Sequence, residues 1–180
     1  PLEERLETAA RLADQAAAEA RRTGLSGGLD LIVLPEFAIQ HPGVRAADQA
    51  VAIDGRVIGV LGAKAREHRT WLVVPMILRE DDGSGRISNA AVLLTRAGQV
   101  AGIYRKMHPV VDANGVAEGG VTPGRAFPVF DCDFGKLGIL ICWDMSYEEG
   151  WDALAAAGAE IVALPSASPQ TVRPMAQAMR

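Results

Sequence analysis

Apolar and alanine side chains at Leu2, Leu6, Ala9, Ala10, Ala13, Ala16 and Ala17 recur at helical spacing through a charged segment, which predicts an amphipathic helix over residues 2–22. Gly24, Ser26, Gly27 and Gly28 supply the turn that ends it. Residues 29–34 then read Leu-Asp-Leu-Ile-Val-Leu and are stopped by Pro35, the pattern of a buried strand feeding a loop. Val57, Val60, Leu61 and Ala65 form one face of a second helix over residues 56–68. Strands rich in Val, Ile and Leu are expected at 71–78 and 87–95, separated by the turn signal Asp81-Asp82-Gly83-Ser84-Gly85. Ala97-Gly98 turns the second of these into a further strand at 99–104, an antiparallel hairpin.

Residues 105–125 show no period and carry Gly115, Gly119, Gly120 and Gly124. A structureless stretch of that length inside a domain is usually functional. Strands are expected at 127–131 and 136–141, a helix at 146–157 and a last strand at 160–164. Helices and strands alternate at each end of the chain with a hairpin in the middle, so the fold class is α/β with a mixed sheet.

Composition narrows the function classes. The 180 residues are 49% hydrophobic and 22% charged with a net charge of −4, which suits one globular domain over residues 1–180. No Lys/Arg block offers a nucleic-acid surface. No apolar run approaches the roughly 20 residues that cross a bilayer, so no membrane partner is expected. His41, His68 and His108 are scattered and no Cys/His cluster has zinc spacing, so no metal or other cofactor is expected. Two cysteines, Cys132 and Cys142, do not make a disulfide scaffold; reduced thiols and a cytoplasmic setting follow. The chain opens without Met inside one helical pattern and closes inside another, so it is expected to be part of a longer protein.

Three strand ends carry candidate chemistry. Cys142 follows an apolar strand and precedes a helix start, where ligands bind in open α/β sheets. A helix N-terminus there favours thiolate, the nucleophilic form; the alternative is an inert core cysteine. Cys132, between Asp131 and Asp133, is taken as structural. Glu36 directly follows Leu34-Pro35, either as a surface carboxylate or as a base in an apolar setting. Lys106 leaves the third strand directly, and His108, two residues on, is a second candidate partner for the thiol.

Leu-Pro-Glu-Phe around Glu36, Tyr-Arg-Lys-Met-His-Pro around Lys106 and Gly-Ile-Leu-Ile-Cys-Trp-Asp around Cys142 occur in that order, each after a strand. With these motifs the chain resembles the nitrilase superfamily of carbon–nitrogen hydrolases over nearly its whole length. Ser-Asn-Ala-Ala-Val-Leu-Leu and Thr-Pro-Gly are smaller echoes. The resemblance implies an αββα sandwich, incomplete at both termini here, because a first strand and several last strands are absent. It also implies a homo-oligomer and a triad of Glu36 as general base, Lys106 as cation and Cys142 as nucleophile. Glu118 matches the place of an auxiliary, substrate-positioning glutamate; a loop charge in water is the alternative.

The implied reaction is acyl transfer through a thioester, with Lys106 and the backbone N–H of Trp143 binding the oxyanion. The expected substrate is a small amide, ureide or nitrile. Amidase is the favoured subclass. A nitrilase is the alternative, since Cys142-Trp143-Asp144 is close to the Cys-Trp-Glu of nitrilases without being identical. Two further rivals are a catalytically incomplete, oligomerising member, and a structural α/β domain in which the three residues do not converge.

Overall fold

The computed structural model describes residues 2–24, 28–41 and 44–167. Helix α1 spans Leu2–Arg22 and α2 spans Arg56–His68, both as the apolar spacing predicts. Strands β1 (Leu31–Val33), β2 (Trp71–Arg79), β3 (Ile87–Leu94) and β4 (Val100–Arg105) form a four-stranded sheet in the order β1-β2-β3-β4. Strands β5 (Val129–Cys132), β6 (Gly135–Ile139) and β7 (Ile161–Ala163) form a three-stranded sheet, with helix α3 (Glu148–Ala156) between β6 and β7 in sequence.

Strand alternation builds the layers. Leu72, Val74, Met76 and Leu78 of β2 and Ala90, Val92 and Leu94 of β3 face α1 and α2, packing on Leu6, Ala9, Ala13, Val57, Leu61 and Ala65. The intervening Trp71, Val73, Ala91 and Leu93 face the second sheet and pack with Leu137, Ile139 and Ala163. Helix α3 closes the far side through Leu154, whose methyl carbons lie so near Gly138 that a Cβ there would come within 2.8 Å of them. The result is helix, sheet, sheet, helix. Both faces of β2 and β3 are covered, which is why these strands read as continuous apolar runs.

Pro75 sits in the middle of β2 without breaking it. Val73 and Ile77 accept bonds from Leu34 and Val51 on the outer edge of β2, so odd-numbered residues face that edge. Pro75 therefore lacks its N–H on the side where β1 has already ended, not in the β3 ladder.

Several elements differ from expectation in their bounds. Strand β1 is shorter than residues 29–34, although Asp30 O and Leu34 N on either side of it still bond to Trp71 N and Val73 O of β2. Strand β5 starts at Val129, after Pro128, which has no N–H to give a ladder. The helix expected over 146–157 is α3 at Glu148–Ala156, and a separate 3-10 helix at Cys142–Ser146 precedes it, with Tyr147 extended between them. The last strand pairs parallel with β6, Gly138 opposite Val162, as the apolar run suggests. The closing helical pattern lies outside the described residues.

Helix α2 meets the β3–β4 turn at a glycine contact. A Cβ on Gly98 would lie 2.2 Å from the Gly62 carbonyl oxygen, and Gly98 has a φ of 75°. Gly98→Ala is expected to destabilise the fold by more than the roughly 1–2 kcal/mol of the left-handed backbone alone. Chemical unfolding of the two proteins checks this; equal midpoints would show that the contact relaxes without cost.

Candidate functional site

Sheet topology brings the strand ends together. Strand β1 is parallel to β2, and β2 and β4 are each antiparallel to β3, so β1 and β4 run the same way. Glu36 and Lys106 therefore emerge at one end of the first sheet. Asn89, near the start of β3, lies at that same end, and the Lys106 amide donates to its carbonyl at 2.8 Å.

Here a buried polar cluster forms. The Lys106 ammonium donates to Glu36 Oε1 at 2.9 Å and to Glu118 Oε1 at 2.5 Å. The Asn89 side-chain amide donates to the same two carboxylates, at 2.9 Å to Glu36 Oε1 and 2.7 Å to Glu118 Oε2. Backbone amides complete each acid: Ala167 N to Glu36 Oε2 at 3.1 Å and Val110 N to Glu118 Oε1 at 3.0 Å. Side-chain exposure is 1% for Lys106, 2% for Glu36 and 9% for Glu118. Glu118 is thus no loop charge in water. Burial pulls the Lys106 pKa down, but the charges and hydrogen bonds of Glu36 and Glu118 outweigh it, and the net shift is upward from 10.5. The stabilisation linked to this charge is complete below pH 10.5 and is lost only as pH rises through the raised folded value.

Cys142 opens the 3-10 helix with a φ of 47°. Its amide donates to Pro165 O at 2.9 Å, and its sulfur accepts from Ser166 Oγ at 3.3 Å. The next residue, Ala167, holds Glu36, so residues 165–167 connect thiol and acid cluster. Ser166 and Ala167 thus border the site; Ser168, Pro169 and Gln170 lie outside the described residues. The α-helix behind Cys142 begins only at Glu148, so the turn directly following the thiol is the short 3-10 segment. Phe37 and Glu118 also have positive φ, 57° and 40°. A left-handed non-glycine residue costs on the order of 1–3 kcal/mol and persists where its surroundings over-determine it.

Asp144 ties this turn to the Lys106 segment. Fully buried, it accepts from Tyr104 Oη at 2.6 Å, Ile141 N at 2.9 Å and His108 N at 2.8 Å. His108 is not paired with the thiol: its Nδ1 lies 3.1 Å from Asp144, its Nε2 lies 2.8 Å from Glu149, and its ring stacks on Tyr147 at 3.7 Å. Trp143 is 47% exposed and donates from Nε1 to Tyr147 Oη at 3.3 Å. Cys132 stands apart at the end of β5, its thiol pushed up to about 11 by burial and then by Asp133 and Asp131.

Sequence reasoning missed Asn89 and Asp144 as site residues. A signal for Asn89 existed: an asparagine inside a strand that is apolar from Ala90 onward and buried throughout has poor strand propensity and must find partners.

A cavity of about 590 Å³ opens beside the acid pair, lined in part by Glu36, Phe37, Gln40, Glu118 and Ala167. Among the described residues, one grouping brings metal-ligand atoms together: Asp14, Glu67 and His68. The Lys64 ammonium sits 2.9 Å from both of its carboxylates, so a side-chain cation already serves them.

The profile of the carbon-nitrogen hydrolase family matches residues 2–180. The citrullinase of Francisella tularensis subsp. tularensis is 32% identical over 147 residues, 78% of this chain and 50% of that protein. The deaminated glutathione amidase of Yersinia enterocolitica is 30% identical over 156 residues, covering 79% and 53%. The crystal structure of an amidase from Nesterenkonia sp. superposes with a TM-score of 0.69 at 27% identity, covering 94% of this chain and 63% of that one. The chain thus spans about half the length of these two curated relatives.

Two outcomes follow from the cysteine geometry. Iodoacetamide near pH 8 is expected to label Cys142 faster than Cys132, whose thiol is pushed up to about 11 and so is almost wholly protonated there; peptide mass spectrometry reads the two rates, and equal rates would count against it. Cys142→Gly is expected to be more stable than Cys142→Ala by about 1 kcal/mol, because glycine accepts the left-handed backbone freely. Thermal unfolding of the pair decides whether that strain is real.

Proposed function

This chain belongs to the carbon–nitrogen hydrolase family, and on that premise we propose that it hydrolyses a non-peptide carbon–nitrogen bond of a small amide through a thioester on Cys142. The observation that carries this reading is the buried Lys106–Glu36 pair, joined through Ala167 and Ser166 to the Cys142 sulfur. The amidase subclass is favoured by the similarity to the citrullinase and the deaminated glutathione amidase.

Glu36 takes the Cys142 proton, and the thiolate attacks the carbonyl carbon. The oxyanion that develops is met by the Lys106 ammonium and by the Trp143 backbone N–H. That amide lies in the first turn of the 3-10 helix, between the Cys142 and Asp144 amides that Pro165 O and Ile141 O already occupy. One such donor is typically worth about 3 kcal/mol. As the carbon–nitrogen bond breaks, Glu36 passes its proton to the leaving amine and the thioester remains. Glu36 then deprotonates a water molecule, which attacks the thioester; the acid leaves and the thiol is restored. Glu118 positions Lys106 and borders the cavity that would hold the acyl group. Each step uses groups of the chain itself. A homo-oligomeric assembly and a cytoplasmic setting belong to the same proposal; among the described residues no helix is long and apolar enough to cross a membrane.

A panel of small amides, ureides and nitriles is expected to yield turnover on an amide or ureide, with an acyl adduct on Cys142 seen by mass spectrometry. Cys142→Ala should abolish turnover, and Glu36→Gln should lower kcat by roughly 10²–10⁴-fold. Turnover of nitriles alone would select the nitrilase alternative. A folded protein with neither turnover nor adduct would sink the catalytic reading.

A further inference from the structure

Two carboxylates share one ammonium in a nearly dry site, leaving the cluster with a net charge of −1 when all three groups are ionised. In water this would be unremarkable in energy. Out of water, unbalanced charge is normally relieved by taking up a proton. A proton on either acid would remove the base or weaken the hold on Lys106. A neutral donor that reaches both acids at once favours the ionised form of each.

Asn89 is such a donor. Its single side-chain nitrogen donates to Glu36 Oε1 and to Glu118 Oε2, at 2.9 and 2.7 Å. The orientation of the amide is settled by charge: the flipped form would aim its carbonyl oxygen at two carboxylates. The carbonyl oxygen is left buried without a partner among the described residues. An amide kept in this orientation at that cost is held by its two acid contacts. The backbone of Asn89 is fixed as well, since its carbonyl accepts the Lys106 amide at 2.8 Å. Glu36 and Glu118 thereby receive matching sets of donors: Lys106, Asn89 and one backbone N–H each.

We propose that Asn89 is a positioning residue whose side-chain amide holds the Glu36 and Glu118 carboxylates together around Lys106, so that replacing it raises the pH at which the site loses its base. This rests on the reading of Glu36 as that base. Among the described residues, the other charged or titratable groups nearby do not duplicate the task. Arg5 of α1 donates to Phe37 O and Gln40 O, Arg45 at the cavity rim pairs with Asp48, and His41 lies on the same rim. On the opposite side, Cys142 reaches the cluster through residues 166 and 167. Arg105, next to Lys106, pairs with Glu80.

The test is Asn89→Leu and Asn89→Asp, both close in shape to asparagine, studied in the full chain. Infrared spectroscopy across pH reads the protonated-carboxyl band, and the acid limb of kcat/KM reads the working base. With Asn89→Leu, both donors are lost. The carboxyl band should titrate at a midpoint roughly one pH unit or more above that of the unmodified protein, and the acid limb should move with it. With Asn89→Asp, a third carboxylate joins one lysine, and the carboxyl band of the cluster should titrate at a higher pH than in the unmodified protein. If Asn89→Leu fails to fold, the Asn89→Asp band still decides. Unchanged midpoints in the folded variants, even with lower thermal stability, would reduce Asn89 to a packing role and overturn the proposal. The infrared titration does not depend on turnover, so an unmodified protein inactive on every amide would overturn the functional reading alone.

Discussion

The burial of one lysine charge constrains everything around it. A lysine with a side chain 1% exposed cannot stay charged without partners, and breaking such a buried pair typically costs about 3–5 kcal/mol. Lys106 finds its partners on three separate segments: Glu36 after β1, Glu118 in the loop after β4, and, through both acids, Asn89 on β3. Each partner must arrive at the same point for the cluster to be tolerable. The sheet direction, the length of β1 and the path of the loop between residues 106 and 121 are all held to that condition. The loop therefore needs no regular structure to be ordered: Glu118 anchors it to Lys106 and Val110, and Thr122 N returns it to Ile87 O at 2.7 Å.

The second sheet enters the site through Asp144 and residues 165–167. Asp144 joins the Cys142 turn to Tyr104 and His108, which flank Lys106 in sequence, so the two sheets are registered against each other at the end that carries the buried acid cluster. Parallel pairing of β6 with β7 delivers residues 165–167 between Cys142 and Glu36. The left-handed residues Phe37, Glu118 and Cys142 all fall in this region, at bends where the chain leaves a strand or crosses the loop. Strain concentrated beside a buried ionic cluster is affordable only because the layered core holds both sheets rigid.

Much of this was legible in the chain itself. Helix α2 was read to its bounds because Val57, Leu61 and Ala65 repeat on one face and that face is what the helix buries. The hairpin of β3 and β4 followed from Ala97-Gly98, and the Gly98 backbone is left-handed as such a turn needs. Glu36, Lys106 and Cys142 stood out because each ends a strand, within motifs that resemble one superfamily. Local pattern carries such information, since period and turn chemistry act over a few residues.

Other features depend on groups far apart in sequence. Whether Glu118 faced water or a lysine was undecidable from its loop, because its partner stands 12 residues away and its other contact, Asn89, 29 away. His108 looked available to the thiol until Asp144, 36 residues on, took its ring. The 3-10 turn at Cys142 is held because Asp144 bonds back to Ile141 and across to Tyr104. By itself the sequence determined the elements, their order and the candidate residues, since these follow from side-chain period and local backbone preference. Which charges meet, and which amide holds them, only the tertiary structure decided, since the energy of a buried charge depends on what surrounds it in space.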